Sequence, residues 1–397
     1  MKVLILTVGT GKGVADGLAF SWNTHNPDKL CLLVSKESLE STIPELLLKI
    51  NKSSDEADVH IEETDQVNDI ELLFFICTKL IDGYLSQRIP AAQIIIDFTS
   101  GTKAMSAGLA TAAFSRKCGA VSYVSGSRDL EYGRVRTGTE RVSTLSPNAV
   151  YTEQNVELFK HYFNRYQFQA ALSIFENEKV HPLFHEKADL FSQLAQVFDA
   201  LDKFQFNYAF EKLLEIDLKI PLIAELGLRK KLTAYKSRLN VLEQKELKQT
   251  HAVELFANAG RRAEEGKFDD AVARLYRTLE MLGQIEFAKA YGCKTDEATL
   301  DVIPDDLKDK YSKKYSQKKH GQLKLSLFAT FEALPKEFSI YQLFSANKDS
   351  FQKCAHLRNY SILAHGSQPI SKDKFEKYKS FVKLFLGDVE IPAFPKL

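Results

Sequence analysis

The chain has almost no excess charge of either sign. Its 53 Lys and Arg stand against 52 Asp and Glu, a formal net charge of +1. No global field draws nucleic acid to it, so any such contact has to be local. Cysteine is scarce: five residues, at 31, 77, 118, 293 and 354, none in a CxxC spacing. That points to a reducing compartment, with each thiol a small buried hydrophobe, and away from a structural zinc site or any other metal. No uninterrupted apolar run reaches the roughly 18 residues of a membrane span. The chain opens on Met1-Lys2 and a strand-type run instead of a signal peptide, and the expected location is the cytoplasm. The standard nucleotide fingerprints are absent as well. Gly9-Thr10-Gly11-Lys12-Gly13 lacks the second gap of GxGxxG, and Lys12 is not followed by Ser or Thr in a GxxxxGK[ST] frame. Hydride transfer and ATP hydrolysis are therefore poorly supported.

What is present divides the 397 residues into two characters. Up to Pro147, short apolar runs of the buried parallel-strand kind alternate with helical patterns: Val3 to Val8, Leu30 to Val34, a weaker Val59-His60-Ile61, then Ile94 to Phe98 and Val121 to Val124. Helical periodicity fills residues 69–86, and a small-residue helix runs from Ser106 to Phe114. This alternation predicts an α/β, Rossmann-like N-terminal domain over 1–150. Strand signals then vanish, predicting an all-α helical C-terminal half: a connector over 151–250 and an effector over 251–397. Within it, Asn164 to Ala171, Lys203 to Ala209 and Gly266 to Ala271 echo one another. Their uneven intervals argue for similar helical hairpins, not a repeat array.

In a parallel sheet, ligands bind beyond the carboxyl ends of the strands. Two loops fall there. One is Gly9-Thr10-Gly11; the other is Thr99-Ser100-Gly101-Thr102-Lys103, between a strand and a helix. Glycine lets backbone N–H groups approach a phosphate, and a following helix N-terminus favours an anion. Taken alone, the first loop reads better as a plain strand-to-helix turn.

The C-terminal half holds Arg358-Asn359-Tyr360-Ser361-Ile362-Leu363-Ala364-His365-Gly366. On one helix, Arg358 and His365 would differ in direction by roughly 20°, two turns apart, with Ser361 between them. Gly366 and Pro369 are the expected helix stop. Arg holds phosphate with a planar fork of donors and His exchanges protons near neutral pH. Such a pair can cut RNA without a metal: the 2′-hydroxyl attacks, His moves a proton, and Arg steadies the developing charge. On spacing alone the stripe is ordinarily a solvated helix face. His356, nine residues before His365, is off that face and reads as structural. Lys308 to Lys324 is the one dense basic tract. In it Lys313, Lys314, Tyr315, Lys318 and Lys319, with Ser361 nearer the Arg-His pair, are candidate contacts for single-stranded RNA. A solvated loop explains that tract equally well.

Both regions resemble known families. Asp97-Phe98-Thr99-Ser100-Gly101-Thr102-Lys103-Ala104-Met105 is similar to the Asp-x-Thr-(Gly/Ser)-Gly-Thr-Lys-x-Met signature of CARF domains, the Rossmann-like sensors of CRISPR systems. A hairpin over Tyr132 to Val135 and Gly138 to Val142 resembles the end of that domain. Arg358-Asn359 followed by His365 resembles the catalytic motif of HEPN ribonucleases, and Gly266 to Glu280 resembles their other core helix. Together they resemble the type III accessory CARF–HEPN ribonucleases. The resemblance implies a cyclic oligoadenylate lying across the two-fold axis of a homodimer, touching Gly9, Thr10, Gly11, Thr99, Ser100, Gly101, Thr102 and Lys103. It implies Arg358, Asn359 and His365 as catalytic, with two such motifs facing one cleft. The activity implied is metal-independent, cofactor-free endonucleolytic cleavage of single-stranded RNA in antiviral defence, leaving a cyclic phosphate. The competing reading is a ligand-sensing helical adaptor with an inactive HEPN domain; a dinucleotide oxidoreductase is a third.

Overall fold

The computed structural model describes residues 1–127, 135–136, 138–176, 178–315, 322–362 and 367–397. The described residues divide into two compact units: Met1–Asn155 with Lys179–Phe184, and Val156–Glu178 with His185–Leu397.

The first unit is α/β. Its strands are β1 (Val3–Val8), β2 (Lys29–Val34), β3 (Val59–Glu63), β4 (Ile94–Asp97), β5 (Ala120–Ser125) and β6 (Arg141–Leu145). They form one sheet in the order β3-β2-β1-β4-β5-β6. All neighbours are parallel except β5 and β6, which run antiparallel. Every residue of β1 is buried, as an apolar strand covered on both faces should be. The helices are α1 (Val14–His25), α2 (Lys36–Ser41), α3 (Ile43–Lys49), α4 (Ile70–Ser86) and α5 (Lys103–Ser115). The small residues of α5 have a packing reason: a Cβ on Gly108 would stand 2.8 Å from the Cβ of Leu73 on α4, so the two helices meet almost backbone to backbone. Of the expected hairpin, Tyr132, Gly133 and Arg134 lie outside the described residues. Its second arm, from Arg141, pairs with β5.

The second unit is helical. Its elements are α6 (Asn148–Phe163, which begins in the first unit), α7 (Phe168–Ser173), α8 (His185–Asp202), α9 (Phe206–Glu215), α10 (Pro221–Glu225) and α11 (Arg229–Leu242). There follow α12 (Gln249–Glu264), α13 (Phe268–Tyr291), α14 (Asp305–Tyr315), α15 (Leu327–Glu332), α16 (Ser339–Ala346), α17 (Lys348–Asn359) and α18 (Lys372–Leu386). The three echoed segments prove to be one turn used three times. Tyr166, Phe204 and Gly266 all take positive φ, at 62°, 60° and 77°. The next residue's N–H reaches five residues back, Gln167 to Tyr162, Gln205 to Ala200 and Lys267 to Arg262, at 2.9–3.0 Å. That is the helix-ending Schellman bond. A phenylalanine, at 168, 206 or 268, then opens the next helix. A buried ion cluster joins α8, α11 and α12: Glu254, fully buried, accepts from Arg238 at 3.0 Å and Arg261 at 2.8 Å, and Arg261 also pairs with Asp202 at 3.3 Å. Its charges are matched, which is the condition for burying them. No helix among the described residues is long and apolar enough to cross a membrane.

Candidate functional site

The strand order of the first unit reverses between β1 and β4, and the crevice at such a switch point is where open α/β sheets take ligands. The two loops singled out in the sequence leave the sheet at that point, one after β1 and one after β4. They line a cavity of about 650 Å³. Gly9, Thr10, Thr99, Ser100, Gly101 and Thr102 lie in its wall; Gly11 and Lys103 are exposed and do not. Gly11 instead closes the turn into α1, its carbonyl accepting from the Val14 N–H at 3.3 Å, and Lys103 follows the N-cap of α5.

The loops are braced against each other. The Gly9 N–H donates to Ser100 Oγ at 2.8 Å, and the Thr7 hydroxyl donates to the Ser100 carbonyl. A Cβ on Gly9 would come within 2.7 Å of the Gly101 nitrogen, so only glycine allows this approach. Thr42 on the far side donates to the Gly9 carbonyl at 2.9 Å. The hydroxyls expected to face ligand are largely committed. Thr99 Oγ1 donates to Asp97 and accepts from the Val124 N–H at 2.7 Å; Thr102 Oγ1 donates to the Val67 carbonyl and caps α5 through the Met105 N–H at 3.1 Å. Among the described residues no hydrogen bond takes up the backbone N–H groups of Thr10, Gly101 and Thr102. Fixed amides ahead of a helix N-terminus are what an anion needs.

Asp97 holds the arrangement from below. It is fully buried at the end of β4, accepts from the Thr99 N–H at 2.8 Å, and accepts from Ser21 on α1 at 2.6 Å. Next to it His25 Nε2 pairs with Ser122 Oγ at 2.8 Å. Burial pulls the His25 pKa below its ordinary value, against the opposing pull of Asp97. The structural part played by Ser21, His25, Thr42 and Val67 escaped the sequence. Each is brought in by tertiary contact from another element, and none carries a motif.

In the second unit the end of α17 carries Arg358 and Asn359. The guanidinium of Arg358 lies over the ring of Tyr276 on α13, 5.2 Å from its centroid. Its Nη1 donates to Asn359 Oδ1 at 3.1 Å. Among the described residues no carboxylate pairs with it, and a guanidinium without one keeps donors for a phosphate. Burial pushes the Tyr276 phenol above its ordinary range, with Glu280 adding to the rise and Arg358 opposing it. The ring under the cation is therefore neutral.

The expected continuous helix from Arg358 to His365 is not what the chain adopts: α17 stops at Asn359, capped by Tyr360. Ser361 is 3% exposed, donates through Oγ to the Arg358 carbonyl at 2.8 Å, and bridges to Gln368. Ser361 thus ends the helix, its side chain buried and its hydroxyl proton given to the Arg358 carbonyl. Just beyond, the Ile370 N–H donates to Asp269 on α13 at 3.1 Å. His365 lies outside the described residues, as do Lys318 and Lys319. Lys313 and Lys314 are exposed on α14, with Lys314 Nζ 5.3 Å from the Tyr315 ring centroid. Lys310 is paired with Glu332 at 2.6 Å, and Tyr311 is a core residue whose hydroxyl donates to the Ala329 carbonyl at 2.8 Å. The basic tract is thus partly structural. No group of three or more His, Cys, Asp or Glu that could hold a metal ion occurs among the described residues.

Residues 240–387, with α13 and the end of α17 inside them, match the family described as Csm6 HEPN domain. A stretch of 150 residues is 28% identical to the CRISPR system endoribonuclease Csm6 of Thermus thermophilus, spanning 36% of this chain and 31% of that protein. The chain thus matches about a third of that relative's length. The fold is that of Enterococcus italicus Csm6 bound to cyclic hexa-2′-fluoro-hexa-dAMP: TM-score 0.60 at 15% identity, covering 97% of this chain and 94% of that one. Residues 240–387 are thus similar to a Csm6 HEPN domain, and the fold of the whole chain is one that a Csm6 shares. Arg358 and Asn359 lie within the part that matches the HEPN model, and the crevice of the first unit lies outside it.

Proposed function

We propose that the chain is an endoribonuclease of type III CRISPR defence, switched on by a cyclic oligoadenylate in the CARF pocket and cutting single-stranded RNA with Arg358, Asn359 and His365. The observation that carries this reading is the Arg358 guanidinium, seated on Tyr276 with no carboxylate partner among the described residues, inside a region that matches a HEPN domain. A cation so held stabilises the charge that builds on a phosphate during attack by the neighbouring 2′-hydroxyl. His365 shuttles the proton, and Asn359 steadies the guanidinium by its hydrogen bond. The reaction needs no metal and leaves a cyclic phosphate. One motif per chain makes a thin site, so the working form is a homodimer in which two motifs face one cleft. The activator's phosphates rest on the amides of Thr10, Gly101 and Thr102, and Thr99 and Ser100 shape the loop. Lys313, Lys314 and Tyr315, with Lys318 and Lys319 beyond them, supply further RNA contact, and the enzyme works in the cytoplasm.

The deciding experiment incubates the pure full-length chain with fluorescent single-stranded RNA, with and without cyclic oligoadenylates and with EDTA. Activator-dependent, EDTA-resistant cleavage is expected. His365→Ala should abolish it while leaving activator binding intact. No cleavage under any condition, with activator still bound, would establish the adaptor instead.

A further inference from the structure

Spacing relative to His365 makes His356 a structural residue, but the structure puts it at the surface. Its ring is stacked on that of Tyr360, with centroids 5.8 Å apart and planes 10° from parallel. Tyr360 is 67% exposed. A tyrosine that caps a helix ordinarily turns its ring onto apolar neighbours. This one stands in solvent, held flat by the imidazole beneath it. Both rings line a cavity of about 540 Å³ with Asp349, Gln352, Lys353 and Leu357. Positions 349, 353, 356 and 360 follow at i+4, i+3 and i+4, one continuous face of α17.

We propose that His356 and Tyr360 form a stacking platform for one unpaired nucleobase of the RNA strand. This deepens the nuclease reading and rests on it. A base extends a two-ring stack through its own flat face, whatever its identity. The Gln352 amide and Asp349 carboxylate supply acceptors and donors at its edge, and Lys353 supplies a cation for the adjoining phosphate. Arg358 sits on the same last turn of α17. Two residues along a helix rotate it by about 200° from His356 and from Tyr360, so it projects from the opposite side. A strand passing over the end of α17 meets the platform and the guanidinium within one helix diameter, about 10 Å. The platform therefore grips a nucleotide next to the one being cut, not the scissile phosphate itself.

The test measures steady-state cleavage by the full-length, activator-saturated chain. Tyr360→Leu should raise KM for RNA roughly 5- to 100-fold, the range of one lost base–aromatic stack, and leave kcat within about twofold. Tyr360→Trp, which keeps a flat ring, should restore KM. An unchanged KM in Tyr360→Leu overturns the proposal. So does a KM change that follows a shift in oligomeric mass by analytical ultracentrifugation, which would make this face a contact between copies. Should the wild-type chain cut no RNA, the nuclease reading fails by itself. The platform is then read by fluorescence anisotropy of a single-stranded oligonucleotide: the same loss of affinity in Tyr360→Leu upholds it, and equal affinity overturns it.

Discussion

Replacing Tyr276 by leucine removes the surface on which Arg358 rests and leaves the arginine in place. The guanidinium carbon stands 5.2 Å from the ring centroid, inside the roughly 6 Å over which a cation and an aromatic face attract. Such a contact is worth about 0.5–2 kcal/mol, rising as the pair is desolvated. Arg358 and Tyr276 are both half-buried, which places the pair between those limits. If that energy holds the guanidinium where charge develops, losing it lowers kcat roughly 2- to 30-fold. KM should move little, because the effect falls on a transition-state contact and not on ground-state binding. Tyr276→Phe keeps the ring face and should restore kcat, even though it removes the hydroxyl near Glu280. Tyr276 also packs against the helical core, so Tyr276→Leu should cost about 1–2 kcal/mol of stability. Rates are therefore compared well below the melting temperature of each variant. Steady-state cleavage of a fluorescent RNA at saturating activator reads both constants. Wild-type kcat in Tyr276→Leu would refute the reasoning. Equal damage in Tyr276→Phe would refute it differently, shifting the role from the ring face to the hydroxyl.

Two further outcomes follow from the first unit. Gly9→Ala drives a methyl group against the Gly101 nitrogen at 2.7 Å and Cα at 3.1 Å; backbone cannot yield as a side-chain tip can. Overpacking of this kind costs about 1–3 kcal/mol, so titration calorimetry should show activator affinity lowered roughly 5- to 100-fold, and unchanged affinity would contradict the bracing of the two loops. His25 is held below its ordinary pKa by burial, so the unfolded chain binds the extra proton first. Its contribution to stability is full above about pH 6.5 and is lost as pH falls through and below that value. Thermal melts should fall on acidification through that window and flatten in His25→Gln, and an unaltered slope in the variant would remove His25 from the effect.

The sheet and its ligand loops were legible because their signals are local. Buried parallel strands read as short apolar runs, and the loop after β4 carries a motif nine residues long. The helix-ending turns were legible as an echo, although their cause was not. Tyr166 and Phe204 take the left-handed conformation that only Gly266 advertises by residue type. Two things were not legible. The end of α17 was placed at Gly366 and Pro369, because these are the usual stop signals. The actual stop is Ser361, whose hydroxyl takes the Arg358 carbonyl and offers the backbone an alternative to one more helical turn. Tyr311 lies in the basic tract read as a candidate RNA contact, yet it is a core residue. Its burial depends on α15, which lies too far along the chain for periodicity within one helix to reveal.

The early stop of α17 changes what sets the geometry of the proposed Arg358–His365 pair. On one continuous helix, each residue added between Arg358 and His365 would turn one about 100° from the other, and an interval of six residues would be a tight constraint. With the helix ended at Asn359, that constraint lapses. The direction of Arg358 is set by Tyr276 on α13, and the path beyond it is pinned by two long-range contacts, Ser361 with Gln368 and Ile370 with Asp269. Both Tyr276 and Asp269 lie in Gly266 to Glu280, the stretch whose resemblance to a core helix was noted for its pattern alone. Helix α13 is therefore a template as well as a packing partner: it seats the guanidinium at one position and anchors the returning chain at another, seven residues earlier. An Arg-to-His interval of variable length is compatible with one catalytic geometry as long as both of these seats on α13 are kept.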